Sequence, residues 1–262
     1  MAGDEYFAAH TADAAERERL AFLERGVDPR STRHLQALGV AAGWACLEVG
    51  GGGGSVTRWL ADRVGPDGRV VAIDIDIRFL REIDQPNVEV RQRDILRDSL
   101  ESSTYDLAHC RFLLLHLSEP ELAVDRMIAS LKVGGWIMIE EPDFSSYQAA
   151  DPDHPMSEGF TRMVRDVFGR AAGSKLFDPY FGRRNRALLE QAGLSEIGNE
   201  GTAWLWRGGE AEAREHQLSL PVLAKAGICS EQEREDLEKA LTDPDFTFVG
   251  HTVFSAWGRR AV

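Results

Sequence analysis

The stretch Leu47-Glu48-Val49-Gly50-Gly51-Gly52-Gly53-Gly54-Ser55 decides the fold of this chain. The apolar residues before the glycines predict a buried strand over 45–49, and Val56, Trp59 and Leu60 after them have helical spacing. Five consecutive glycines allow positive φ angles and remove every Cβ from the turn. A ligand can therefore lie almost against the backbone, with the N-terminus of the following helix directed at it. The stretch predicts a nucleotide-like cofactor site.

The spacing of these glycines indicates which cofactor is bound. The dinucleotide fingerprint requires glycines as GxGxxG, and Ser55 or Val56 stands where the third glycine should be. An acid two residues before the first glycine, Glu48, followed by GxGxG does fit the sequence. This pattern resembles the first motif of the class I S-adenosylmethionine (SAM) dependent methyltransferases, (D/E)xGxGxG. The alternative interpretation of the glycines is a flexible surface loop.

Length and charge restrict the class of protein. A chain of 262 residues suits one α/β domain with additions, or at most two small domains. The formal net charge of -13 disfavours general binding to nucleic acid or to anionic membrane surfaces. The sequence predicts no secretory leader and no apolar run of membrane-spanning length, and the three cysteines are expected to be buried free thiols. We therefore expect a soluble cytoplasmic protein without a nucleic-acid or membrane partner.

Acidic residues follow the next two predicted strands. The strand over 69–74 ends in Asp74, about 20 residues beyond the glycines, where a carboxylate can accept hydrogen bonds from both ribose hydroxyls. Asp76 is the rival for this role. The strand over 88–92 leads to Asp94, and by the family resemblance Asp94 accepts from the adenine amino group while the backbone of Ile95 meets the ring. The alternative for Asp94 is a helix-capping or turn residue.

The centre of the chain continues the same resemblance. A fourth strand is predicted over 105–110, and a helix is predicted to begin at a capping box with a proline over 118–121. The run 132–135, Lys-Val-Gly-Gly, and the apolar strand predicted over 136–140 look like the "LkpGG" signature of the family, with Val133 in place of proline. Glycine loop, Asp74, Asp94 and double glycine occur in the family's order and spacing.

Residues 35–142 therefore resemble a class I SAM-dependent methyltransferase of the bacterial small-molecule group. The resemblance implies an α/β fold: a Rossmann-like, seven-stranded, mostly parallel sheet with helices on both faces and an antiparallel last strand beside the fifth. The sixth and seventh strands are predicted over 196–207 and 246–257.

Segments outside this core are expected to add helices. Residues 1–40 form an N-terminal helical lid, with one amphipathic helix around 16–24 and a second over 31–38; helices simply packed on the sheet are the alternative. Residues 41–262 form the methyltransferase domain, with a cap insertion over about 143–185 and a helical insertion over about 208–244. A helix of 3.6 period is predicted around 160–168, and another begins at the capping box over 230–233.

The resemblance and the position of each residue give a set of candidate site residues. The residues expected to bind SAM, and its product S-adenosylhomocysteine (SAH), are Glu48, Gly50, Gly51, Gly52, Ser55, Asp74, Ile75, Asp94, Ile95, Arg111 and Phe112. The residues expected to contact the acceptor are Tyr6, Phe7, His10, Glu141, Phe144, Tyr180 and Phe181.

The chemistry expected of this site is methyl transfer to an O, N or C atom of a small, partly apolar metabolite. His116 is the candidate general base, and a structural role is its alternative. Glu140, Glu141 and Asp143 do not complete a metal site, so no metal is expected. Two other functions stay open: a SAM-binding protein that performs no transfer, such as a cyclase, and an NAD(P)-dependent reductase, for which a Tyr-xxx-Lys pair is missing. A homo-oligomer also remains open.

Overall fold

In the computed structural model, which describes residues 13–174, 176–211 and 213–261, the apolar runs of the sequence form two β-sheets. The strands in chain order are β1 (Ala45–Val49), β2 (Arg69–Asp74), β3 (Val88–Gln92), β4 (Tyr105–Arg111), β5 (Leu131–Asp143), β6 (Gln148–Ala149), β7 (Ser195–Thr202), β8 (Leu205–Arg207), β9 (Thr247–Val249) and β10 (Thr252–Arg259). The α-helices are α1 (Asp13–Ala37), α2 (Ser55–Val64), α3 (Pro120–Ser130), α4 (Ser157–Ser174), α5 (Asn185–Gln191), α6 (Ala213–Lys225) and α7 (Glu231–Thr242).

The chain forms two compact units. The first, called the sheet unit below, comprises Val27–Glu141, Gly182–Glu200 and the described residues from Phe254 onward. The second unit comprises Pro142–Phe181, Gly201–Val253 and the described residues up to position 26.

The larger sheet has seven strands in the order β3-β2-β1-β4-β5-β10-β7. The pairs from β3 to β5 are parallel. The last strand, β10, lies beside β5 and runs antiparallel to it, because Arg260 at its end exchanges hydrogen bonds with Gly134 and Gly135 near the start of β5. The predicted Rossmann-like sheet with an antiparallel last strand is therefore confirmed.

One core cluster of the sheet unit lies on the face of the sheet that carries Cys46, Leu107 and Met138. Leu60 of α2 and Leu35 of α1 pack in the same cluster, and all five side chains are fully buried. This apolar layer fixes both helices on the sheet by removing their apolar surface from water. The three cysteines, Cys46, Cys110 and Cys229, are buried free thiols, as predicted.

The second unit is built on a three-stranded sheet, β6-β9-β8, whose pairs are antiparallel. Helix α4 packs on β6 and on α7, and α6 packs on α7. Aromatic rings form its core: Tyr147 stacks on Phe248 with ring centroids 5.7 Å apart, and Phe160 meets Phe246 edge-on at 4.8 Å. The predicted capping box of α7 is present, with Ser230 Oγ accepting from Glu233 N–H.

The N-terminal helices differ from the prediction. The structure has a single helix, α1, where two helices around 16–24 and over 31–38 were expected. Pro29 lies inside it, although proline removes a backbone donor and normally breaks a helix. Contacts to the sheet explain the continuity, since Asp28 and Ser31 both accept hydrogen bonds from Arg111. Tertiary contacts here override a local signal.

The predictions for one helix cap, for the double glycine and for two strands are also wrong in detail. Helix α3 starts at Pro120, and its N-cap is Glu119, which makes no side-chain cap bond, and not the expected Ser118. The double glycine does not precede the fifth strand but forms an irregularity within β5, between the pairs Tyr105↔Leu131 and Leu107↔Trp136. The strands predicted over 196–207 and 246–257 each break in two, and one piece of each joins the small sheet.

Candidate functional site

The glycine loop adopts the conformation that its sequence pattern predicts. Gly50, Gly52 and Gly54 have φ angles of 73°, 52° and 86°, in the left-handed region where side chains are disfavoured. A Cβ on Gly50 would lie 3.2 Å from Leu113 Cδ1, and one on Gly54 would lie 2.8 Å from Ile83 Cδ1. The GxGxG spacing thus corresponds to alternate residues that only glycine accommodates without strain.

The glycine loop follows β1, at the point where the strand order of the larger sheet reverses. Strand β1 is flanked by β2 on one side and by β4 on the other, and the chain leaves β1 toward β2 but leaves β4 in the opposite direction, toward β5. In open α/β sheets, ligands bind in the crevice at the carboxyl ends of the strands at such a point. The glycine loop, Asp74, Asp94 and Arg111 follow or end β1, β2, β3 and β4, so the structure brings these predicted cofactor residues to the same edge.

Asp74 joins the end of β2 to the glycine loop. Its Oδ2 accepts from the backbone N–H of Gly52 at 3.0 Å, and its Oδ1 accepts from that of Asp76 at 3.0 Å. Burial raises the pKa of Asp74 above its usual value, although these N–H donors favour the charged form. The rival Asp76 is instead paired with Arg78, whose Nε lies 2.9 Å from Oδ2. Of the two acids, Asp74 is the one bonded to the loop.

Asp94 is engaged in a turn. Its Oδ1 accepts from the N–H of Leu96 at 2.8 Å, and its Oδ2 lies 3.2 Å from Arg97 Nε. The turn role that the sequence left open is therefore present. Among the neighbouring apolar residues, Ile95 is 5% exposed while Ile75, directly after β2, is 42% exposed. Ile75 offers apolar surface at the strand edge, and Ile95 offers only its backbone.

Arg111, at the end of β4, is bound to the N-terminal helix. Its Nη2 donates to Asp28 Oδ1 at 2.8 Å, and its Nη1 donates to Ser31 Oγ at 2.9 Å. Ser55, the first residue of α2, also donates to Asp28 Oδ1, at 3.0 Å. The two predicted cofactor residues Arg111 and Ser55 thus share one carboxylate, that of Asp28. The sequence analysis missed Asp28, because nothing local to α1 indicates which strand its side chain meets.

A chain of buried charged groups crosses the sheet below this edge. His109 of β4 is fully buried, with Nδ1 2.7 Å from Glu48 Oε2 and Nε2 3.3 Å from Glu140 Oε2. Glu140 Oε1 accepts from Ser255 Oγ at 2.5 Å and lies 3.6 Å from Arg30 Nε. Because Ser255 donates to a carboxylate and not to histidine, these buried groups do not form a nucleophile–base pair of the hydrolase type.

The buried charged groups around His109 shift each other's pKa values. Burial lowers the pKa of His109, but Glu48 and Glu140 outweigh it and raise that pKa to about 9. Burial raises the pKa of Glu140, but His109 and Arg30 bring it below its usual range. His109 is therefore an imidazolium at neutral pH. The sequence offered one signal for it, a histidine between apolar residues of the fourth strand, with a glutamate in the fifth strand.

Glu141 holds the turn that follows β4. Its Oε1 accepts from the N–H groups of Leu113 and Leu114, at 3.0 and 2.8 Å. Burial raises the pKa of Glu141 to about 8, in spite of these backbone donors. Phe112 has a positive φ of 54°, and the short 3₁₀ turn Leu114–His116 follows it. His116, the candidate base, is thus placed at the carboxyl end of β4 and is partly exposed.

The residues predicted to contact the acceptor do not all belong to the same unit. Glu141 belongs to the sheet unit, whereas Phe144, Tyr180 and Phe181 belong to the second unit. Phe144 stacks on Phe168 at 4.3 Å, and Phe181 is only 1% exposed. Tyr6, Phe7 and His10 lie outside the described residues. In the part of the chain that the structure describes, His, Cys, Asp and Glu do not cluster in threes as a metal ion would require.

None of the helices in the described ranges combines the length and the apolar character needed to cross a membrane.

A family model described as a methyltransferase domain matches residues 7–250. A methyltransferase named str2 from Strobilurus tenacellus is 28% identical over 191 residues, which cover 71% of this chain and 66% of that protein. The ubiquinone/menaquinone biosynthesis C-methyltransferase of Saccharophagus degradans is 31% identical over 115 residues, 41% of this chain and 46% of that protein. This chain thus spans just under two thirds of the first relative and about half of the second.

Among solved structures, geranyl diphosphate C-methyltransferase from Streptomyces coelicolor superposes with a TM-score of 0.52 at 13% identity. The superposition covers 98% of this chain and 89% of that one, and that structure contains SAH. At this identity the likeness concerns the fold.

Proposed function

The chain belongs to the methyltransferase domain family, and from this premise we propose that it binds SAM at the glycine-loop edge and transfers the methyl group to a small, partly apolar molecule. The observation that supports this most is the bond between Gly52 and Asp74 at the switch point of the sheet. It places a side-chain-free loop and a carboxylate side by side, as an adenosine group requires.

The residues at this edge fit SAM in chemical type. The glycine loop carries no side chains, since Leu113 and Ile83 leave no room for a Cβ on Gly50 and Gly54, and it precedes the N-terminus of α2. Asp74 has lone pairs left to accept from ribose hydroxyls after its bonds to two backbone N–H groups. Exposed Ile75 would cover one face of the adenine ring, and Asp94 would accept from its amino group.

The methionine part of the cofactor would meet the turn after β4. Arg111 and Phe112 lie there, and Ser55 faces them at the start of α2. Glu48 is 3% exposed and bonded to His109, so we assign it an indirect role through the position of β1.

Bound SAM supplies a methyl group on a sulfonium, which is the electrophile of the reaction. The protein must hold the acceptor in line with that group and exclude water. His116 would take the proton of a hydroxyl or amine acceptor, since imidazole titrates near neutral pH. No metal takes part in the proposal.

We infer the acceptor's character from composition. Aromatic side chains are concentrated in the second unit, including Phe144 and Tyr180, and aromatic surfaces suit a partly apolar metabolite. The quinone-pathway methyltransferase among the relatives, by its name, serves such a product. A cap role for 143–185 and a lid role for 1–40 remain part of this proposal, as do a cytoplasmic location and the lack of a nucleic-acid partner. A homo-oligomer is left open.

The test is incubation of the protein with SAM and a panel of small aromatic and isoprenoid acceptors, followed by mass analysis. The proposal predicts SAH together with an acceptor heavier by one methyl group. SAM binding with an isomerised or cyclised product and no methyl gain would instead support the non-transfer alternative. Hydride transfer with NAD(P)H would support a reductase, and either outcome overturns the proposal.

A further inference from the structure

Glu141 was expected to touch the acceptor, but its carboxylate is turned toward the backbone of its own unit. It is fully buried, and Oε1 accepts two hydrogen bonds, from Leu113 N–H at 3.0 Å and Leu114 N–H at 2.8 Å. A third, weaker contact joins Oε2 to Leu115 N–H at 3.4 Å. These are the amides of consecutive residues, so one side chain fixes the start of the turn.

The turn held in this way borders the glycine loop. The Leu113 side chain packs against Gly50, because a Cβ built on Gly50 would lie 3.2 to 3.4 Å from three atoms of Leu113. The first glycine of the loop and the residue held by Glu141 are therefore in direct contact. Since Gly50 also donates to Ile73 O at 2.8 Å, it has little freedom to follow if Leu113 moves.

The same turn presents two proposed site residues. Phe112 stands immediately before it with a positive φ of 54°, a conformation that a bulky residue keeps only where its surroundings enforce it. Its own N–H donates to Glu140 O at 2.9 Å, which extends the β4–β5 pairing. His116 ends the turn, and its N–H donates to Leu113 O at 3.0 Å. Both residues depend on where Leu113 lies.

We propose that Glu141 is a positioning residue of the cofactor site, which fixes Leu113 against Gly50 and orients Phe112 and His116 through the backbone of the turn. This inference rests on the proposed SAM site. Glu141 does not touch the reacting groups. It acts by satisfying buried backbone donors that would otherwise have no acceptor in the apolar interior.

The test compares three substitutions of Glu141 by titration calorimetry with SAH and by amide hydrogen exchange at 113–115. Glu141→Leu keeps the volume and removes the acceptor, so SAH should bind about tenfold or more weakly and the three amides should exchange faster. Glu141→Gln keeps an oxygen that can accept from Leu113 and Leu114, so affinity should stay within about threefold. Glu141→Asp has a shorter side chain, so its SAH affinity should lie between those of the leucine and glutamine variants. It replaces the leucine variant in the test if that variant does not fold.

Glu233→Leu is the matched control. Glu233 also accepts from a helix-start amide, that of Ser230, but it lies in the second unit. Its loss should lower stability and leave SAH affinity unchanged.

If wild-type protein binds SAH and the leucine and aspartate variants bind it equally well, the positioning role is wrong while the proposed function stands. If wild-type protein binds neither SAM nor SAH, the proposed function itself is wrong. Faster exchange at 113–115 with unchanged SAH affinity would limit Glu141 to a structural role and overturn the inference.

Discussion

The backbone N–H of Gly52 donates a hydrogen bond of 3.0 Å to Oδ2 of Asp74. One residue is the middle glycine of the loop after β1, and the other is the last residue of β2. The bond fixes the loop to the neighbouring strand, and it turns the carboxylate toward the edge where the adenosine would lie. The shape of the loop and the proposed ribose recognition therefore depend on the same side chain.

Asp74→Ala should weaken SAM binding by about 1 to 3 kcal/mol, because two ribose hydroxyls and the Gly52 amide lose a charged acceptor. Titration calorimetry measures the change. Asp76→Ala is the control, since Asp76 is paired with Arg78 and should leave affinity almost unchanged. Equal affinity of the Asp74 variant and the wild type would contradict the assignment.

His109→Gln should destabilise the fold by about 3 to 5 kcal/mol at neutral pH, because it leaves the buried Glu48 without its cationic partner and leaves the buried Glu140 with Arg30 alone. The pKa of His109 is raised to about 9, above an unfolded value of about 6.5. The stability that His109 contributes to the fold is therefore fully present below pH ~6.5 and is lost as the pH rises through about 9.

Urea unfolding between pH 6 and 10 measures this dependence. The wild type should lose stability across that window, and the glutamine variant should lose less. Parallel curves for wild type and His109→Gln would show that His109 is not the group that titrates.

Gly54→Ala should lower the free energy of unfolding by about 1 to 2 kcal/mol, because its φ of 86° is left-handed and the added Cβ approaches Ile83 Cδ1 to 2.8 Å. SAM affinity should fall as well. Gly159→Ala is the matched control, since Gly159 lies in α4 with nothing within 4 Å of an added Cβ. It should raise stability by about 0.5 to 1 kcal/mol. A neutral effect of Gly54→Ala would argue against a tightly shaped loop.

Ser230→Ala should cost about 0.5 to 2 kcal/mol of stability, since the side chain caps α7 by accepting from the Glu233 amide. Thermal unfolding measures this loss. Ser230→Asp keeps a capping oxygen and should be close to wild type. Neither change should affect SAM affinity; a clear loss of affinity would mean that the cofactor site depends on this helix.

The sequence predicted the elements whose signals are local. Strands β2 and β3 have the expected bounds, because β-branched runs ending at turns and acids are read over a few residues. The glycine loop was predicted in the correct register, since positive φ at alternate positions is a property of glycine itself. The order of strands came from the family resemblance, not from any single run.

Features that depend on distant partners were missed. The sequence near Pro29 does not indicate that the helix continues across this proline. The contacts of its neighbours with Arg111 and Glu140 come from distant strands. The chain leaves one sheet for the other between Thr202 and Leu205, and no break in the β pattern marks the change. Glu141 was interpreted as a ligand contact because it follows a predicted strand. The sequence around it gives no sign of the backbone amides that donate to its carboxylate.

Titration calorimetry of the purified protein with SAM, SAH and NAD in parallel tests the proposed cofactor site most directly. We expect affinities on the order of micromolar for SAM and SAH, and no binding of NAD. Binding of NAD alone would contradict it, and the loop would then have to serve hydride transfer. Absence of binding by all three would mean that the glycine loop and Asp74 no longer form a cofactor site.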